Sequence, residues 1–127
     1  MAGAGSRLLI AVVDDEKSVR TSLRRLLAAS DLDAVTFASG QEFLDSLRQS
    51  RPDCLILDLQ MPGLSGLDVQ RQLADRRLRV PTIIITAEDE TRGASPSPGT
   101  VAYLCKPFED HVLLELIARA VQGAPAP

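Results

Sequence analysis

Five residues of this chain have side chains suited to phosphoryl chemistry, and each closes or follows an apolar run: Asp14, Asp15, Asp58, Thr86 and Lys106. Two acids follow "LLIAVV", one follows "CLIL", a hydroxyl ends "TIIIT" and an ammonium follows "AYLC". Carboxylates with one open face suit a hard divalent cation, Mg²⁺ above all with Mn²⁺ as a substitute, because such an ion keeps several waters and shares phosphate oxygens. A carboxylate can also be a nucleophile and form an acyl phosphate. Transfer of a phosphoryl group then asks mainly for positioning and charge neutralisation, which the metal, the Lys106 ammonium and the Thr86 hydroxyl would supply. Taken singly, each residue has a plainer explanation: an Asp caps a helix, a Thr favours a strand, a Lys-Pro pair makes a turn. Their joint placement at four strand ends is what points to chemistry.

Those ends belong to an alternating series of elements. Residues 8–13 form a continuous apolar run, the pattern of a strand buried on both faces. Val19, Leu23, Leu26 and Leu27 then share one helical face. Residues 34–37 read as a weaker strand, and Ser39 with Glu42 has capping-box spacing at the start of a helix carrying Phe43, Leu44 and Leu47. Strands over 54–57 and 82–86 flank a third helix around 67–77; a fifth strand covers 102–105. A last helix presents Leu113, Leu116, Ile117, Ala120 and Val121 as one stripe.

Strands alternating with helices imply a parallel sheet covered on both faces, and five strands suit an α/β doubly wound fold, whose flavodoxin-like type has strand order 2-1-3-4-5. Its sites lie outside the carboxyl ends of the strands, where the first and third strands are neighbours about 4.8 Å apart. At an effective dielectric of 20, two charges about 5 Å apart repel by roughly 3 kcal/mol. A proton, a cation or a ligand must relieve that.

The bulk properties narrow the alternatives. At 127 residues the chain suits one domain, with residues 1–6 as a flexible tail, 7–122 as the domain and 123–127 as a tail or linker. A net charge of −3 and few aromatics argue against nucleic-acid binding by these residues. No apolar stretch approaches a membrane span. Cys54 and Cys105 sit in apolar runs and read as buried, reduced thiols, in keeping with a cytoplasmic protein.

The stretches "VVDDEKSVR" (12–20), "LILDLQMPGLSGLD" (55–68), "PTIIIT" (81–86) and "YLCKPF" (103–108) together resemble the receiver domain of bacterial two-component response regulators, over roughly residues 8–122. The resemblance implies that Asp58 accepts a phosphoryl group from the phosphohistidine of a sensor histidine kinase, and that phosphorylation promotes a homodimer. It implies that Asp15, Asp58 and the Gln60 main-chain carbonyl ligate Mg²⁺, with Asp14 acting through water. Thr86 and Lys106 would hold phosphoryl oxygens, Thr86 and Tyr103 would form the switch, and Gln60 and Glu88 would tune phosphoryl lifetime. Pro107 would follow a cis peptide. Details such as "FASGQEFL" resemble receivers that precede DNA-binding domains, so DNA would be reached only through an output domain beyond this chain.

One stretch departs from the family pattern. "AEDETRGASPSPGT" (87–100) has only alanines as apolar residues and is interrupted by Gly93, Pro96, Pro98 and Gly99. The helix expected between the fourth and fifth strands, about 89–98, is therefore predicted to be short, irregular or disordered, since an interior Pro costs about 3 kcal/mol. That stretch motivates a second reading, a receiver-like binding module that signals without phosphorylation. A third, a phosphatase with an aspartyl nucleophile, lacks the second acid two residues on, where Gln60 stands. A receiver promotes its own phosphorylation and dephosphorylation and is not a turnover enzyme on external substrates.

Overall fold

A computed structural model of the chain describes residues 7–87 and 100–122. The elements in order are β1 (Leu9–Val13), α1 (Lys17–Ala29), β2 (Asp33–Phe37), α2 (Gly40–Ser46), β3 (Cys54–Asp58), α3 (Gly66–Asp75), β4 (Thr82–Thr86), β5 (Thr100–Cys105) and α4 (Asp110–Val121). All five strands pair in parallel, as the alternating pattern predicts, and in the order β2-β1-β3-β4-β5 of the flavodoxin-like fold. Glu88, the predicted irregular helix at about 89–98 and the two predicted tails, 1–6 and 123–127, lie outside the described residues.

Alternate strand residues feed two cores. Ala11, Val13, Leu55, Leu57 and Ile84 meet Phe43 and Leu44 of α2 and Val69 and Leu73 of α3 on one face. Ile10, Val12, Ile56, Ile83 and Ile85 meet Leu23 and Leu27 of α1 and Leu113 and Ile117 of α4 on the other. The three inner strands are thus apolar along their middles because both of their faces are covered. None of the described helices is long and apolar enough to cross a membrane.

Three expectations are corrected by the structure. Cys54 is buried, and its burial pushes the thiol up to about 12, but Cys105 is exposed, because β5 is the last strand of the sheet with a neighbour on one side only. β5 itself begins at Thr100, two residues earlier than the apolar run indicates. At α2 the Ser39 side chain accepts from the Glu42 N–H at 3.2 Å, yet the Glu42 carboxylate accepts from Ala38 instead of closing the box onto Ser39. The reciprocal box forms at α3, between Ser65 and Asp68. Those hydrogen bonds hold the Asp68 carboxyl below the usual range.

Candidate active site at the carboxyl ends of the strands

The register of the sheet brings the candidate residues to one edge. Val13 pairs with Leu57, so Asp14 and Asp58 follow side by side; Asp58 pairs with Ile85, and Thr86 with Cys105. Main-chain hydrogen bonds continue past the strand ends: Asp14 N–H donates to Phe37, Leu59 to Ile85, and Lys106 to Thr86 at 2.7 Å. The edge is therefore built of backbone, not of flexible loops.

Ligand atoms of Asp14, Asp15 and Asp58 all lie within 4.8 Å of one another. Asp14 is fully buried and Asp58 nearly so, whereas Asp15 is exposed. Both Asp14 oxygens are engaged: Oδ1 accepts from the Glu16 N–H at 2.9 Å and Oδ2 from Lys106 Nζ at 3.2 Å. The Asp14 carbonyl accepts from Arg20 Nη1, which ties this turn to α1. Asp58 Oδ1 faces the Gln60 N–H at 3.4 Å. Burial pushes the Asp58 carboxyl up to about 6, Asp14 and Asp15 push the same way, and the Lys106 ammonium and the Gln60 N–H pull against them.

Three carboxylates gathered on so few ångströms, with only one lysine against them, form a donor set that fits a hard divalent cation. With both Asp14 oxygens engaged, Asp15 and Asp58 are better placed to act as direct ligands. The Lys106–Pro107 peptide is cis. Thr86 is fully buried at the end of β4. Tyr103, three residues before Lys106, is partly buried and packs against the core on the α2–α3 face. Ala87 is exposed beside Thr86. Gly66 is required by close approach: a Cβ there would lie 2.6 Å from the Asp58 carbonyl oxygen. The start of α3 is thus pressed against the strand end that carries Asp58.

The structure brings Asp14, Asp15, Asp58, Gln60, Thr86 and Lys106 to one edge. It adds Glu16, whose Oε1 lies 3.9 Å from Lys106 Nζ. Sequence reasoning passes over Glu16 because its partner lies ninety positions away; the available signal is an acid of poor capping type at the start of a helix.

A family model described as the response regulator receiver domain matches residues 10–118. The chain is 36% identical over 121 residues to nodulation protein W of Bradyrhizobium diazoefficiens, covering 94% of this chain and 53% of that protein. It is 38% identical over 117 residues to the DNA-binding transcriptional regulator NtrC of Escherichia coli, covering 91% of this chain and 25% of that protein. It therefore spans about half of the first relative and a quarter of the second. Among solved structures, the response regulator TrrA of Thermotoga maritima in complex with Mg²⁺ and BeF superposes with a TM-score of 0.81 at 30% identity, covering 89% of this chain and 98% of that one.

Proposed function

Because the chain belongs to the receiver-domain family of two-component response regulators, we propose that Asp58 accepts a phosphoryl group from the phosphohistidine of a sensor histidine kinase, and that the phosphorylated domain switches an output. The observation that carries this reading is the meeting of Asp14, Asp15 and Asp58 within 4.8 Å, with Lys106 at 3.2 Å from Asp14.

Burial pushes the Asp58 carboxyl up to about 6, still below neutral pH, which leaves the carboxylate available as a nucleophile. An Asp58 oxygen forms the new bond to phosphorus as the phosphorus–nitrogen bond of the donor breaks, and the electron pair of that bond returns to the imidazole nitrogen. Asp15, Asp58 and the Gln60 main-chain carbonyl would hold Mg²⁺, with Asp14 acting through water, and the ion's contribution is to neutralise phosphoryl charge. Lys106 and the Thr86 hydroxyl would each take a phosphoryl oxygen, and Tyr103 would follow Thr86 in the switch. Gln60 and Glu88 would set how long the acyl phosphate survives.

In this reading the partners are a histidine kinase, a second copy of the chain after phosphorylation, and DNA only through an output domain outside these residues. The name of NtrC, a DNA-binding transcriptional regulator, motivates a transcriptional output. The domain works in the cytoplasm and turns over no external substrate. Incubation with Mg²⁺ and acetyl phosphate, followed by intact-mass measurement, tests the proposal. A single added phosphate that is lost in Asp58→Ala is expected; no adduct, or an adduct that persists in Asp58→Ala, would overturn it.

A further inference from the structure

Glu16 is the N-cap of α1, and its backbone is extended with φ −90° and ψ 119°. That position favours Ser, Thr, Asp or Asn, whose short side chains reach the unpaired N–H groups of the first turn. The Glu16 side chain caps nothing. It runs the other way, to within 3.9 Å of Lys106 Nζ, while Asp14 Oδ1 holds the Glu16 N–H. Lys106 Nζ donates to Asp14 Oδ2 at 3.2 Å. Two carboxylates from the turn after β1 thus draw the ammonium toward β1, although Asp58 stands on the neighbouring β3.

Building on the phospho-acceptor reading above, we propose that Glu16 is a positioning residue. With Asp14 it keeps Lys106 Nζ on the β1 side of the site before phosphorylation, and Lys106 leaves Glu16 to meet the new phosphoryl group on Asp58. Glu16 therefore slows phosphoryl acceptance. Its side chain is 62% exposed, so its hold is that of a surface ion pair and weakens with salt.

The chain has two lysines, Lys17 and Lys106, so lysine-selective ¹⁵N labelling resolves the ammonium groups. Lys17 is exposed, while the Lys106 side chain is only 19% exposed and paired, which makes its signal the protected one. In protein without Mg²⁺, Glu16→Gln is expected to shift and broaden the Lys106 signal. Glu109→Gln, which removes an equal charge from a residue that faces His111, leaves that signal in place. With saturating Mg²⁺ and acetyl phosphate, Glu16→Gln is expected to gain phosphate about two- to fivefold faster, the worth of an exposed ion pair, and Glu109→Gln at the wild-type rate. An unmoved Lys106 signal in Glu16→Gln, or equal acceleration in both variants, would overturn the proposal. If wild-type protein takes no phosphate at all, the acceptor reading fails; the anchoring of Lys106 is then still supported by a shifted signal and overturned by an unmoved one.

Discussion

Strands β3 and β5 both deliver residues to the same edge, and they are built in opposite ways. β3 lies at the centre of the sheet, is buried along its whole length and ends in Asp58. β5 is the last strand, is nowhere fully buried, exposes Val101 and Cys105, carries Tyr103 and leads into Lys106. Asp58, the proposed nucleophile, thus comes from the part of the fold least able to move. Lys106 and Tyr103 come from an edge strand paired on one side only, where local opening is less costly than at the centre of the sheet. That division suits the proposed phospho-acceptor role, in which Asp58 stays still while Lys106 and Tyr103 change partners.

The comparison can be broken first by stability. Ile56→Ala empties space in the middle of β3 and is expected to cost about 4 kcal/mol in urea unfolding. Val101→Ala on β5, 43% exposed, is expected to fall within about 0.5 kcal/mol of wild type. Similar costs at the two sites would mean that β5 is as restrained as β3, and the division of labour would not hold.

A second test acts on the seam behind Asp58. Gly66→Ala places a Cβ 2.6 Å from the Asp58 carbonyl oxygen and 3.0 Å from Leu59 Cα. Backbone cannot yield as a side-chain tip does, so a loss of about 3 kcal/mol is expected, with slower phosphate uptake because the strand end shifts. Gly63→Ala meets open space but has a positive φ of 77°, and about 1 kcal/mol is expected. Equal costs would show that α3 does not brace the β3 end.

These contrasts also explain what the sequence made legible. β3 was readable because a strand buried on both faces is a continuous apolar run, and a charge at its end stands out against that run. Alternation of elements gave a parallel, doubly wound sheet, while the strand order, and with it the meeting of Asp14 with Asp58, rested on likeness to the flavodoxin-like fold. The edge was harder. Cys105 lies in an apolar-looking run, but an edge strand has one neighbour, so its pattern overstates its burial. The start of α3 was placed late because its capping box uses Asp68 where Glu is the usual signal, and Ser65 sits inside a glycine-rich turn. Gln70 is polar yet buried, and its Nε2 donates to the Thr100 side chain at the start of β5. Such a contact across thirty positions leaves no periodic trace. The same holds for Glu16 and Lys106, whose meeting depends on tertiary structure alone.

The smallest expected effect is the most specific to β3. Burial and two neighbouring acids push the Asp58 carboxyl from 3.8 in a free chain to about 6 in the native site. The folded protein therefore binds this proton more tightly than the unfolded chain does, and stability falls as pH rises from 3.8 to about 6, the penalty being complete above that. At 1.36 kcal/mol per pH unit the cost approaches 3 kcal/mol, and solvent screening at the mouth of the site reduces it to about 2. Asp58→Asn keeps the shape and removes the charge. In the presence of a chelator it is expected to be more stable than wild type by about 2 kcal/mol near pH 8 and by roughly half of that near pH 5. Saturating Mg²⁺ should stabilise the wild type and narrow the gap, because a cation that binds only the folded site adds to its stability. A gain that did not change with pH would mean that packing, not charge, separates the variants. A gain near zero would mean that the strand end yields enough to let water reach Asp58. Central pairing on both sides of β3 argues against such yielding: the main chain at Asp58 cannot draw back from its neighbours without breaking the ladder.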